Sequence, residues 1–268
     1  MKKSIVPAMI AFAAWCAHAS AHAAPRFAKV SDHCYSMTIQ ESGINVAAVV
    51  TDDGVLMVNP PPEPGLSSVM DALREITPKP VRWVVYTEPG LGRNPGARLF
   101  ADGKALVLTR TNLLASSRSL PDEPAAPAPP PMPQLIFEAQ MSLFPSNLEV
   151  RIIALGHKAR SGADVVLFVP AEKVLITGSL FEAARFPEID TASGGSPVGW
   201  IDGMQQAIDA VPLLKAAIPK AKPASENEPE KTLEEEVTVL PGRGESSDLQ
   251  DMKDLLDSCK RLRADIAR

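Results

Sequence analysis

Lys79-Pro80-Val81-Arg82-Trp83-Val84-Val85-Tyr86-Thr87-Glu88-Pro89-Gly90-Leu91-Gly92-Arg93 is the stretch on which the fold turns. Residues 81–86 form an apolar run of strand length, of the kind buried on both faces of a sheet. Pro89, Gly90 and Gly92 then impose a loop over 87–96. Upstream, Leu66, Val69, Met70, Leu73 and Ile76 recur at helical spacing and stop before Pro78, which predicts a helix over 66–76. Further up, residues 44–50 and 55–58 are β-branched runs flanking Thr51-Asp52-Asp53-Gly54, hence a hairpin. Downstream, a short helix ending at Phe100 leads to a strand over 105–108. Strand, helix, strand, loop, helix, strand is an α/β alternation, with right-handed crossovers expected.

The second half repeats this grammar. Strands are predicted at 135–143, 148–154, 164–169, 174–177 and 237–240, with amphipathic helices over 200–215 and 248–266. Between the halves, residues 121–133 hold seven prolines. Such a segment is extended and polyproline-like, either a solvated loop or a docking peptide for an aromatic groove. Residues 219–236, rich in proline and glutamate, form a second exposed excursion.

With 268 residues, 45% of them hydrophobic and 22% charged, the chain can bury a sizeable core, which excludes global disorder and a multi-span membrane protein. Lys2 and Lys3, an apolar run over 5–19 and Ala21-His22-Ala23 read as a signal peptide cleaved after residue 23. The rest, 24–268, is expected to be one secreted or periplasmic domain with no later membrane span. Net charge is −5, which argues against nucleic acid as a partner. Outside the leader only His33 and His157 remain of four histidines, and only Cys34 and Cys259 of three cysteines. Those two thiols could form a disulfide or stay separate. No CxxC or Cys/His cluster suggests a thiolate zinc site.

The order of several segments carries a resemblance: Gly43-Ile44-Asn45-Val46, the run 51–59, the run 79–87, Gly162-Ala163-Asp164-Val165-Val166 with Pro170, Lys173-Val174-Leu175-Ile176-Thr177-Gly178, Trp200, and Pro241-Gly242-Arg243-Gly244. Together they resemble the metallo-β-lactamase superfamily over nearly the whole mature chain. The resemblance implies a four-layered αβ/βα sandwich with a cleft at one edge, between the two half-domains. Family members carry T-H-x-H-x-D-H after the buried strand, because imidazoles and a carboxylate hold zinc and the metal acidifies a bound water. Here that loop places Glu88 and Gly90 at the first two histidines, Gly92 at the aspartate and Arg93 at the last histidine. The histidine of H-T-x-G-D is Arg160, the bridging aspartate is Ser179, and the histidine of P-G-H-G is Arg243. The resemblance therefore implies a degenerate member with no metal and no cofactor.

Three of those replacements are arginines, and clustered guanidiniums need an anion or internal carboxylates. One expectation is a cleft built from Glu88, Arg93, Arg160, Ser161, Asp164, Ser179 and Arg243 that grips a small anionic ligand through guanidinium forks. The other is that Glu88, Asp164 and backbone carbonyls satisfy the arginines. No catalytic residue is assigned: Ser161 and Ser179 would need a base, which His157 or Glu88 could supply only within hydrogen-bond reach, and there is no G-x-S-x-G elbow. The functional expectation is a non-hydrolytic ligand- or partner-binding accessory protein of the cell envelope. A metal-independent hydrolase of an anionic small molecule, and a scaffold that binds an envelope partner through its proline-rich loop, are the alternatives.

Overall fold

The computed structural model describes residues 25–88, 100, 105–110, 133–156, 158–211 and 237–267. The predicted leader, the loop beyond Glu88 with Arg93, the short helix before Phe100, nearly all of 121–133, His157 and the acidic segment lie outside the described residues.

Strands β1 (Ala28–Lys29), β2 (Cys34–Ile39), β3 (Ile44–Thr51) and β4 (Gly54–Val58) form an antiparallel meander. The β3–β4 turn is the predicted one, with the Thr51 hydroxyl donating to the Gly54 carbonyl at 2.9 Å. Helix α1 (Gly65–Ile76) follows, then β5 (Val81–Val85), β6 (Leu106–Arg110) and β7 (Leu135–Phe137), each parallel to its neighbour. These seven strands make one sheet in sequence order. The second sheet has the order β13-β12-β11-β10-β9-β8. It is built from β8 (Gln140–Leu143), β9 (Val150–Ala154), β10 (Val165–Val169), β11 (Val174–Gly178), β12 (Thr238–Pro241) and β13 (Ser247–Asp248). Helix α2 (Pro197–Ala210) connects toward β12, and α3 (Leu249–Ile266) closes the chain.

Three apolar clusters define four layers. Leu66, Val69 and Leu73 of α1 pack on the outer face of the first sheet with Val46, Met57 and Val84. Val49, Leu56, Val85 and Leu108 meet Val150, Ile152, Leu167 and Ile176 between the sheets. Trp200, Met204 and Ile208 of α2, with Leu249, Met252 and Leu256 of α3, cover the outer face of the second sheet. This is the expected αβ/βα sandwich. Strand β5 serves two of these clusters, Val84 facing α1 and Val85 facing the other sheet, which is why its sequence does not alternate.

Three boundaries differ from the sequence reading by a change of sheet or by more than two residues. Residues 135–143 are two strands, because the chain leaves the first sheet after Phe137 and enters the second at Gln140. Helix α2 begins at Pro197, where the Ser196 hydroxyl accepts from the Gly199 amide at 3.0 Å, a Ser-Pro start that outranks the apolar spacing. It ends at Ala210, short of the predicted 215. Among the described residues both cysteines are free: Cys34 lies between the sheets and Cys259 against the outer helical layer. Burial pushes the Cys34 thiol up to about 12, so it is an inert core group.

Candidate functional site

Two side chains fix where the loop after β5 begins. The Asn59 amide group donates to Thr87 Oγ1 at 2.7 Å and accepts from the Thr87 backbone N–H at 2.8 Å. The Thr87 carbonyl accepts from Val165 N at 2.9 Å, which ties the end of β5 to the second sheet. Gly178 closes the same junction from β11. Its φ is +52°, and a Cβ there would stand 2.0 Å from Thr87 Oγ1, so only glycine fits. Glu88 and Ser179, each one residue further on, are thereby brought together.

Glu88 Oε2 accepts from Arg160 Nη1 at 2.5 Å and from Ser179 Oγ at 2.6 Å. Three of the positions aligned with lost zinc ligands thus close on one another as a hydrogen-bonded ion pair. Arg160 follows β9, so the unit links segments from the ends of β5, β9 and β11. Its formal charge is zero. The buried Arg160 Nε has no hydrogen-bond partner among the described residues.

Arg243 belongs to a second unit. The turn at 241–244 is held by Asn45, whose side-chain amide donates to the carbonyls of Pro241 at 2.9 Å and Gly244 at 2.8 Å. Gly242 packs so closely that a Cβ would lie 2.6 Å from the Gly178 carbonyl carbon and 2.7 Å from Ser179 Cα. From this turn Arg243 Nη1 donates to Glu182 Oε1 at 2.9 Å. Arg185 Nε stands 2.9 Å from Glu182 Oε2. The Glu182 side chain is only 1% exposed, against 30% for Arg243 and 59% for Arg185. One buried carboxylate therefore faces two guanidiniums, and the formal charge of the unit is +1.

The expectation of one arginine cluster is corrected to this extent: Arg160 and Arg243 have separate carboxylates, and Arg93 lies outside the described residues. Asp164 does not pair with an arginine through a hydrogen bond. It accepts from the Ser161 amide at 2.6 Å and hydroxyl at 2.9 Å, and both residues are buried, so they form the internal brace of a turn. Burial raises the Asp164 carboxyl above its ordinary value, although the two Ser161 hydrogen bonds pull the other way.

Sequence reasoning missed Glu182, Arg185 and Arg110. The first two stand in a loop whose approach to Arg243 is a tertiary fact. Arg110, at the buried end of β6, donates to the Leu155 carbonyl at 2.7 Å, and burial lowers its pKa. A cation ending an apolar strand was the available signal for it.

The donor set at the described positions does not fit zinc. A guanidinium has no lone pair to offer and is positively charged, and a serine hydroxyl is a poor neutral donor. Among the described residues, no group of three or more His, Cys, Asp or Glu could hold a metal ion.

No protein-family model matches the sequence, and no curated protein matches it either. Solved structures do. The fold is similar to the DIM-1 metallo-β-lactamase, with TM-score 0.64 at 15% identity over 89% of this chain and 98% of that one. A metallo-β-lactamase from Pontibacter korlensis gives 0.63 at 16% identity, covering 88% and 99%. VMB-1 gives 0.63 at 14% identity, covering 89% and 98%. The chain thus has the metallo-β-lactamase fold. At the positions that the resemblance aligns with zinc ligands, Glu88, Arg160 and Ser179 form a hydrogen-bonded ion pair.

Proposed function

We propose that this protein is a non-hydrolytic binding protein of the periplasm or the extracellular space, using the edge cleft of a metallo-β-lactamase fold to hold a small anionic ligand or an envelope partner. The observation that carries the reading is the replacement of metal ligands by Glu88, Arg160, Ser179 and Arg243. With that donor set the cleft has guanidinium charge in place of a metal-activated water. Fold alone assigns no activity, so the chemistry of the site decides.

A second reading has one contact in its favour. Ser179 Oγ on Glu88 Oε2 at 2.6 Å is a hydroxyl on a carboxylate, as a metal-independent hydrolase would need. Against it, Ser179 is buried and the same carboxylate oxygen is already engaged by Arg160.

The test is thermal denaturation of the purified protein with millimolar citrate, acetate or phosphate, beside the Arg243→Ala variant. An anion-binding cleft gives a midpoint that rises with anion in the wild type and much less in the variant. An unmoved wild-type midpoint, together with ester or amide turnover lost in Ser179→Ala, would transfer the reading to the hydrolase.

A further inference from the structure

We propose that the free edge of β8, with the groove beside it, binds an extended basic peptide segment of a partner protein as an added strand. This surface shares no residue with the arginine positions of the edge cleft. The antiparallel pairing of β8 with β9 sets the direction of its backbone groups. The Ala154 N–H donates to the Ala139 carbonyl at 2.7 Å, and Met141 and Leu143 keep that phase opposite Ile152 and Val150. Gln140 and Ser142 therefore turn their N–H and C=O groups outward, away from β9. Strand β8 carries no charge, proline or bulge to discourage pairing. By contrast, the edges at β1 and β13 are two residues long and hold Lys29 and Asp248.

Beside β8 a groove of about 510 Å³ runs between the second sheet and α2. Gln140, Arg151 and Ile153 line its sheet side. Asp202, Gln205, Gln206 and Asp209 follow helical spacing, so one face of α2 makes the other wall. Gln206 fixes that wall to the sheet, accepting from the Gly156 N–H at 2.7 Å and donating to the Ala154 carbonyl at 3.3 Å. A strand laid on β8 puts every second side chain over this groove, so main-chain bonds supply affinity and the groove supplies specificity. Charge selects the partner. Glu149 already holds Arg151, through contacts of 2.6 and 3.2 Å. Lys260 reaches Gln205 from α3 at 2.6 Å, against Asp202 and Asp209 on the helical wall. These five charged groups leave −1, which favours lysine or arginine on the added strand. A second copy of β8 would bring no cation, since Gln140-Met141-Ser142-Leu143 is uncharged.

Panning a phage-displayed random heptapeptide library on the purified protein tests this, followed by fluorescence polarisation with the enriched peptides. Enriched sequences should carry lysine or arginine among β-branched residues. Combining Asp202→Asn with Asp209→Asn should weaken them about tenfold. N-methylation should abolish binding at alternate peptide positions, those whose N–H faces β8, and spare the positions between. Ser142→Pro should abolish binding as well, and it removes no bond to β9 because that N–H points outward. The methylated peptides give the same test on the unaltered protein if that variant fails to fold. Enrichment of acidic peptides would overturn the basic partner, and binding indifferent to the methylated position would overturn the added strand. Binding lost in Arg243→Ala but kept in the aspartate variant would move the peptide to the edge cleft and overturn this site. A dimer that Ser142→Pro dissolves would give the edge to a second copy, against the proposal. No enrichment would overturn it and leave the anion cleft untouched.

Discussion

Glu88 and Glu182 each hold arginine at positions where the metal-binding motif has ligands, but they do so in different company. Glu88, a third exposed, meets one guanidinium and one hydroxyl and ends neutral. Glu182, almost wholly buried, meets two guanidiniums and leaves a net positive charge at the rim. A zinc ion in a cleft both ties its ligand-bearing loops together and presents positive charge. In this chain one unit joins loop segments with no net charge, and the other keeps a net positive charge.

The comparison can be broken most forcefully at the glycine both units share. Gly242→Ala would drive a Cβ into the backbone of Gly178 and Ser179, displacing the turn that carries Arg243 and the residue that meets Glu88. A loss of about 3 kcal/mol or more is expected in urea unfolding. A loss below about 1 kcal/mol would mean that the turn is free to move and that the two units are not mechanically joined.

Removing the carboxylates separately should rank them. Glu182→Ala strands two guanidiniums, one of them 30% exposed, and should cost about 2 kcal/mol. Glu88→Ala should cost about 1 kcal/mol, because solvent already screens that pair. The reverse order would contradict the assignment of the deeper unit. A double-mutant cycle on Glu88→Gln and Arg160→Met should give a coupling of about 0.5–1 kcal/mol that shrinks in molar salt. A coupling near zero would make the Glu88–Arg160 bridge a passive contact.

The smallest effects are two opposed pH dependences, at Asp164 and at Glu172. Asp164 has a carboxyl raised above 3.8 by burial, so the native state holds its proton more tightly than the unfolded chain does. Its contribution to stability therefore falls as pH rises through the interval from the ordinary value to the raised one. Glu172 is also pushed up by burial, but hydrogen bonds from Ser31 and His33 outweigh this and bring it below 4.5. Its contribution is full above the ordinary value and is lost as pH falls through the lowered one. Urea midpoints measured against pH for Asp164→Asn and Glu172→Gln should each lose the corresponding slope. A wild-type profile in either variant would show that the residue does not set that slope.

The parts of the fold that were legible in the sequence are those decided locally. The β3–β4 hairpin, α1, β5 and the β10–β11 pair each carry a turn residue, a period or an apolar run that stands on its own. The passage from β7 to β8 was not legible, because nothing in Glu138-Ala139 marks the change of sheet. At the site, alignment with a known motif put Glu88 among three arginines, but which of them it would meet was not readable. Glu182 was not, since an acidic residue after Leu180-Phe181 is as compatible with a solvated loop as with burial between Arg185 and Arg243.

The central claim is that ion pairs hold the positions aligned with zinc ligands, and zinc content per chain tests it most directly. Elemental analysis of protein purified without chelator should find less than about a tenth of an equivalent, with no rise in unfolding midpoint on adding zinc. Near-stoichiometric zinc that survives dialysis would contradict the account and return the site to a metal centre.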